Sequence, residues 1–170
     1  MKRTLGLVSI AALATSVLVS AKGPTSRITI VDTLRGTSTD ITDPVVLSRF
    51  TVWDGPGTYS TTNGQTTEGR DGFIADWRSG PLDSRPPGLT RYEVRFFVRH
   101  NTDPVERLAY TVFYERDPSS GNGFVYVPGK TDEQYRLNVA SILRGSRFEG
   151  RWFRANQNWL DATSRLRLSR

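Results

Sequence analysis

Asp54 beside Trp53 and Asp76 beside Trp77 come nearest to a catalytic set in this sequence. Two carboxylates are what glycoside hydrolysis needs, one as the acid and one as base or nucleophile. A neighbouring indole can stack on a sugar ring and, by excluding water, raise the pKa of the acid. Both aspartates also stand at loop edges, where they can simply begin turns while the tryptophans anchor a core. The turn role fits the local sequence better, so Asp54 and Asp76 are weak catalytic candidates.

A second group is basic and aromatic. Arg144, Arg147, Arg151 and Arg154 interleave with Phe148, Trp152 and Phe153. Guanidinium groups and aromatic faces together grip anionic chains by charge and stacking. Gly145 and Gly150 interrupt any helix that would align the four arginines. On a strand, Arg147 and Arg151 face away from Arg154. Arg144, Arg147, Arg151, Arg154 and Trp152 are therefore weak binding candidates, set against aromatics in the core with solvated arginines.

Other chemistry is poorly supplied. The chain has no cysteine and one histidine, His100. Thiol catalysis and thiolate metal sites are excluded, and no carboxylate spacing suggests a metal site. A Ser-His-Asp triad would have to use His100, which lies in the turn-forming run His100-Asn101-Thr102-Asp103-Pro104. Gly55-Pro56-Gly57 lacks the lysine and hydroxyl residue of a phosphate loop. No cofactor is expected, and the chain leans away from being an enzyme.

The N-terminus has the layout of a secretory signal peptide. Lys2 and Arg3 precede an apolar run from Thr4 to Val19, and Val19-Ser20-Ala21 places small residues at a cleavage site. The run is shorter than the roughly 20 residues that span a bilayer. Residues 1–21 are read as the leader and 22–170 as one domain, with no transmembrane segment after cleavage. Export to the periplasm or the medium follows, and it argues against nucleic acid as a partner. The formal charge of +6 is uneven. From Arg136 onward eight arginines face only Glu149 and Asp161, whereas residues 22–135 are slightly acidic. That basic C-terminal quarter favours an anionic envelope component or polymer.

The elements that must position these residues are mostly strands. Arg91 to Val127 reads as three antiparallel strands in a meander. Tyr92, Val94, Phe96 and Val98 share one face of the first strand. Arg107 to Glu115 is apolar enough on both faces to be the most buried of the three. Phe124-Val125-Tyr126-Val127 is the third strand, with Phe124 and Tyr126 expected in the core alongside Tyr92, Phe96, Tyr110, Val112 and Tyr114. Arg27 to Val31 is an earlier strand, and Asp43-Pro44 starts a short helix. Residues 57–71 read as a long mobile surface loop, and 80–88 as a second loop stiffened by prolines. Phe73 to Trp77, Tyr135 to Val139 and Arg147 to Ala155 read as further strands. The second of these passes into a helical turn before Gly145. A final helix is capped by Asn156 or Asn158, and the tail from Arg165 is expected to fray. The fold class is mainly antiparallel β (α+β), a central meander at 91–127 with short helices in a single domain.

Phe73 to Trp77, Arg91 to Val94, Val112-Phe113-Tyr114, Tyr135 to Val139 and Gly150-Arg151-Trp152-Phe153 together resemble a group of small exported bacterial proteins of uncharacterised function. That resemblance implies export and a single β-rich domain, and brings no activity or site with it. The expectation is an exported, non-enzymatic binding or envelope-associated domain. The alternatives are a carboxylate-dependent glycan hydrolase, or attachment to anionic envelope polymers through the basic C-terminal quarter.

Overall fold

The structure, a computed structural model, describes residues 23–53, 55–56, 59–68, 73–100, 102–138, 148–166 and 168. Five segments form the larger part of one sheet: β1 (Thr25–Asp32), β2 (Ser38–Ile41), β5 (Thr90–His100), β6 (Asp103–Arg116) and β7 (Gly123–Val127). β8 (Arg151–Arg154) completes it, in the order β2-β1-β5-β6-β7-β8 with every pair antiparallel. A separate hairpin joins β3 (Tyr59–Thr62) to β4 (Gln65–Glu68). Three short helices complete the chain: α1 (Pro44–Leu47), α2 (Glu133–Leu137) and α3 (Gln157–Ser164). The protein is thus mainly antiparallel β with short helices.

Period-two patterning decides which face of the sheet is dry. The register places Ile28 opposite Phe96, Ile30 opposite Val94, Val94 opposite Val112 and Tyr92 opposite Tyr114. All of these side chains are buried. One short layer covers them: Leu47 and Phe50 around α1, Phe73 to Trp77, and Trp159 of α3. The rings interlock, Phe73 lying 5.1 Å from Phe96 and Trp159 lying 5.2 Å from Phe50. A sheet with one face packed against helices and loop is a stable two-layer solution. As expected for the second strand of the meander, β6 has both faces covered from Ala109 to Val112 and again at Tyr114 and Glu115, although Pro104, Val105 and Arg107 at its start are exposed.

Local chemistry sets the helix starts. The Asp43 carboxylate accepts the Val45 N–H, and Pro44 occupies the first turn where its missing donor costs nothing. Asn156 caps α3 by accepting the Trp159 N–H at 2.9 Å. Its amide also donates to the Phe73 carbonyl, tying α3 to the covering layer. Asn156→Ala should lower stability by about 1 kcal/mol or more, because a cap and a tertiary bond go together; chemical denaturation reads the change.

Several expectations are corrected. In β7 the inward side chains are Val125 and Val127, whereas Phe124 and Tyr126 lie on the opposite face. The pairing of Phe113 with Tyr126, and of Tyr126 with Trp152, fixes that register. It builds an aromatic row that amphipathic alternation alone does not reveal. Within the expected loop 57–71, residues 59–68 form the β3–β4 hairpin. Asn63 and Gly64 adopt φ of 52° and 77°, the double left-handed conformation of a two-residue type I′ turn. Tyr135 to Leu137 belongs to a helix and not a strand, with Asp132 at the N-cap position and Glu133 in the first turn. Phe73 to Trp77 makes a single bridge, Ala75 to Ala155, so burial and not pairing explains its apolar run. The strand expected from Arg147 contracts to Arg151–Arg154 after a turn at Gly150. In the tail, Leu166 and Leu168 pack against the core. Val139 to Leu143 and the expected leader, residues 1–21, lie outside the described residues.

The β8 edge, and the stretch of β6 beyond the end of β7, are covered. The Asp76 N–H bonds the Arg154 carbonyl at 2.8 Å, and the Leu82 N–H bonds the Trp152 carbonyl at 2.7 Å. Where β7 stops short of the longer β6, the buried Asn138 amide takes over. It accepts the Thr111 N–H at 2.7 Å and donates to the Thr111 carbonyl at 3.1 Å. Covering an edge this way removes a template for pairing with another chain. At Gly123 the fit is close: a β-carbon there would stand 2.7 Å from both Leu160 and the Tyr114 ring. Gly123→Ala should therefore cost about 1–3 kcal/mol by overpacking, read as a lower midpoint in thermal unfolding.

Candidate functional site

The outer face of the sheet carries its charge in register. One row runs Arg91, Glu115, Phe124, Arg154 across β5, β6, β7 and β8. The next runs Glu93, Phe113, Tyr126, Trp152. Glu115 is fully buried at the centre. A lone carboxylate there would lose its hydration for nothing, so it must be paired. Arg91 Nε donates to Glu115 Oε1 at 2.9 Å. Arg85 closes the other side, Nη2 to Oε1 at 2.8 Å and Nε towards Oε2 at 3.4 Å.

Arg85 arrives on the proline-rich segment that leaves the β8 edge at Leu82 and must cross back to β5. Aromatic rings form the floor. Tyr126 lies 5.1 Å from Trp152 and 6.3 Å from Phe113. The Arg91 guanidinium sits 5.1 Å from the Phe113 ring, and that of Arg85 5.8 Å from Trp152, both within cation–π range. Burial, reinforced by its bond to Asp132 at 2.8 Å, pushes the Tyr126 phenol up to about 12. It stays neutral and donating at all physiological pH. Two guanidinium groups thus share one carboxylate, and Arg154, exposed at the end of the same row, adds a further positive charge.

Trp152 and Arg154 take part in this patch, but Arg151 does not. Arg151 pairs with Val127, whose side chain points inward, so its side is opposite to that of Arg154. Arg144 and Arg147 lie outside the described residues. Trp152 is only 9% exposed, its ring being covered by the arginines. Sequence reasoning missed Arg85 and Arg91. The available signal was Glu115, a charge on the second face of a strand otherwise apolar on both sides.

Asp76 has a different fate, and its partner candidate Asp54 lies outside the described residues. Asp76 Oδ1 accepts the backbone N–H groups of Arg78 and Ser79, and Oδ2 accepts the Ser79 hydroxyl. The Ser79 bond foremost, with the two backbone donors, outweighs desolvation and holds the carboxyl below its ordinary 3.8. That is the opposite of the raised value a general acid needs. A lowered folded-state pKa contributes stability that is complete above the unfolded value and is lost as pH falls through the folded one. Asp76→Asn should flatten the acid limb of a stability–pH curve below about pH 4, with neutral pH showing the larger loss.

The tryptophans beside the two aspartates are packing residues. Trp53 Nε1 donates to the Gly23 carbonyl at 2.7 Å, and Trp77 is buried 4.8 Å from the Phe153 ring. His100 Nδ1 engages the Thr102 hydroxyl at 2.7 Å within its own turn. Among the described residues, no three His, Cys, Asp or Glu side chains gather closely enough to hold a metal ion. No helix among them is long and apolar enough to cross a membrane. No protein-family model, no curated protein and no solved structure matches this chain.

Proposed function

We propose that the chain is an exported, non-enzymatic binding domain that attaches to anionic envelope polymers through the outer face of its sheet. The observation that carries this reading is the charge imbalance at the aromatic row. Arg85 and Arg91 share the single Glu115 carboxylate, and Arg154 stands in the row of Arg91 and Glu115, beside the aromatic one. The arginine side chains are 50% and 35% exposed, so their outer edges face solvent while their inner edges are fixed. Preorganised guanidinium donors lose little freedom when they meet sulfate, phosphate or carboxylate groups.

The reading shifts the attachment surface from the C-terminal quarter to a face assembled from β5, β6, β8 and the 80–88 loop. Export rests on the leader sequence. Gly23 is built into the fold: its carbonyl holds Trp53, and a β-carbon on it would lie 2.3 Å from the Arg99 carbonyl oxygen. Protein beginning at Lys22 should therefore unfold at the same temperature as the full chain.

Retention on immobilised heparin during a salt gradient tests the attachment. Wild-type protein should elute only at raised ionic strength, because screening shortens the reach of exposed charges to about 10 Å at 0.1 M salt. Arg154→Gln should elute earlier with an unchanged melting temperature. Retention that ignores salt, or that Arg154→Gln leaves intact, overturns the reading.

A further inference from the structure

A groove of about 530 Å³ opens at the edge of the covering layer, and none of Arg85, Arg91, Glu115 or Arg154 lines it. Its lining is Ala75, Asp76, Trp77 and Arg78 on one side and Ala155, Asn156, Gln157 and Asn158 on the other. That volume falls within the range of small-ligand sites, roughly 300–1,000 Å³. Its chemistry is unusual for the molecule. Apart from two alanines, every lining side chain is a planar polar group or an indole. The formal charges of Asp76 and Arg78 cancel. The Asp76 carboxylate accepts three hydrogen bonds within its own turn, fewer than the four or so that two oxygens can take. Gln157 gives one of its two amide N–H donors to Asp161 at 2.8 Å and keeps its side-chain carbonyl as an acceptor. Asn158 is exposed and presents both donor and acceptor. Trp77 is 8% exposed, and its indole N–H is buried with no hydrogen-bond partner among the described residues.

Planar amide and carboxylate edges match neighbouring hydroxyl groups, each of which both donates and accepts. A charge-balanced lining gives no advantage to an ion. Two small alanines leave the wall low enough for a ring to lie in the groove. We infer that this groove is a recognition site for a neutral, polyhydroxylated ligand, a sugar unit of a glycan, held by Asp76, Asn158 and Gln157 beside the Trp77 indole. Asp76 serves there as a fixed acceptor, which its lowered pKa suits, and not as an acid. The groove shares no lining residue with the arginine face, so either reading can fail without the other.

The test is a nitrogen–proton NMR titration of the labelled protein with three neutral linear trisaccharides, maltotriose, cellotriose and chitotriose, and with glucuronic acid as a charged comparison. The expected result is saturable movement, with at least one trisaccharide, of the Ala75–Arg78 amides, the Trp77 indole N–H and the side-chain amides of Gln157 and Asn158. Asn158→Ala should weaken that binding by about tenfold, one lost hydrogen-bonding group, while resonances elsewhere stay in place. Asn158→Gln, which keeps the amide, should recover part of it. No saturable movement with any trisaccharide at about 10 mM, a concentration that samples even millimolar affinity, overturns the inference. So does movement with glucuronic acid alone, or binding that Asn158→Ala leaves unchanged.

Discussion

Replacing Arg85 and Arg91 together by alanine should cost about 3–5 kcal/mol, the penalty for leaving one buried carboxylate without partners. Glu115 has no exposure of its own, and its two ion-pair partners among the described residues are arginines from segments that converge only in the folded sheet. Either single replacement should cost less, since the remaining guanidinium still meets Oε1. Arg91→Ala should be the more damaging of the two, because Arg91 is less exposed and also covers Phe113. Replacing all three, as Arg85→Met, Arg91→Met and Glu115→Leu, should recover most of the loss, because apolar groups of similar volume often match a buried ion group in stability. Urea denaturation of the single, double and triple variants reads the whole cycle. A double variant as stable as the wild type would mean that water reaches Glu115.

Trp159→Ala should be comparably severe, at about 3–5 kcal/mol for a large core aromatic. Trp159 has no solvent exposure and stands edge-on to both Phe50 and Tyr114, at 5.2 and 5.8 Å. It therefore joins the α1 region, α3 and the meander at one point. Its indole N–H has no hydrogen-bond partner among the described residues. Burying such a donor costs about 1–3 kcal/mol. Trp159→Phe removes that donor along with part of the ring, so the two effects oppose one another. The phenylalanine variant should lie much closer to wild type than to Trp159→Ala in thermal unfolding. Equal losses for the two variants would contradict this, because phenylalanine keeps most of the ring volume that alanine removes.

The sequence was most legible where periodicity and turn chemistry act locally. Tyr92, Val94, Phe96 and Val98 alternate cleanly, and Asp43-Pro44 and Asn156 mark helix starts by hydrogen bonds made within a few residues. Asn63-Gly64 carried an equally local signal, yet the polar residues around it have little to bury and read as loop. β7 was misread because Phe124 and Val125 are both apolar, so alternation could not choose the inward face. Cross-strand stacking of Phe113, Tyr126 and Trp152 made that choice. Tyr135 to Leu137 alternates like a strand over too few residues to tell period two from a single helical turn. The candidate site was the least legible. Arg85, Arg91 and Glu115 are separated by up to 30 residues, and only the β5–β6 register and the returning 80–88 segment bring them together.

Attachment through the arginine face is tested most directly by the triple variant that replaces Arg85, Arg91 and Glu115 with apolar residues. It removes the guanidinium donors and, by the reasoning above, keeps the fold. Its melting temperature and its affinity for soluble heparin at low salt should be measured on the same preparation. The account predicts a melting temperature within a few degrees of wild type, about 1 kcal/mol of stability at most, together with an affinity at least about tenfold weaker. A folded triple variant that binds heparin as tightly as wild type would contradict it.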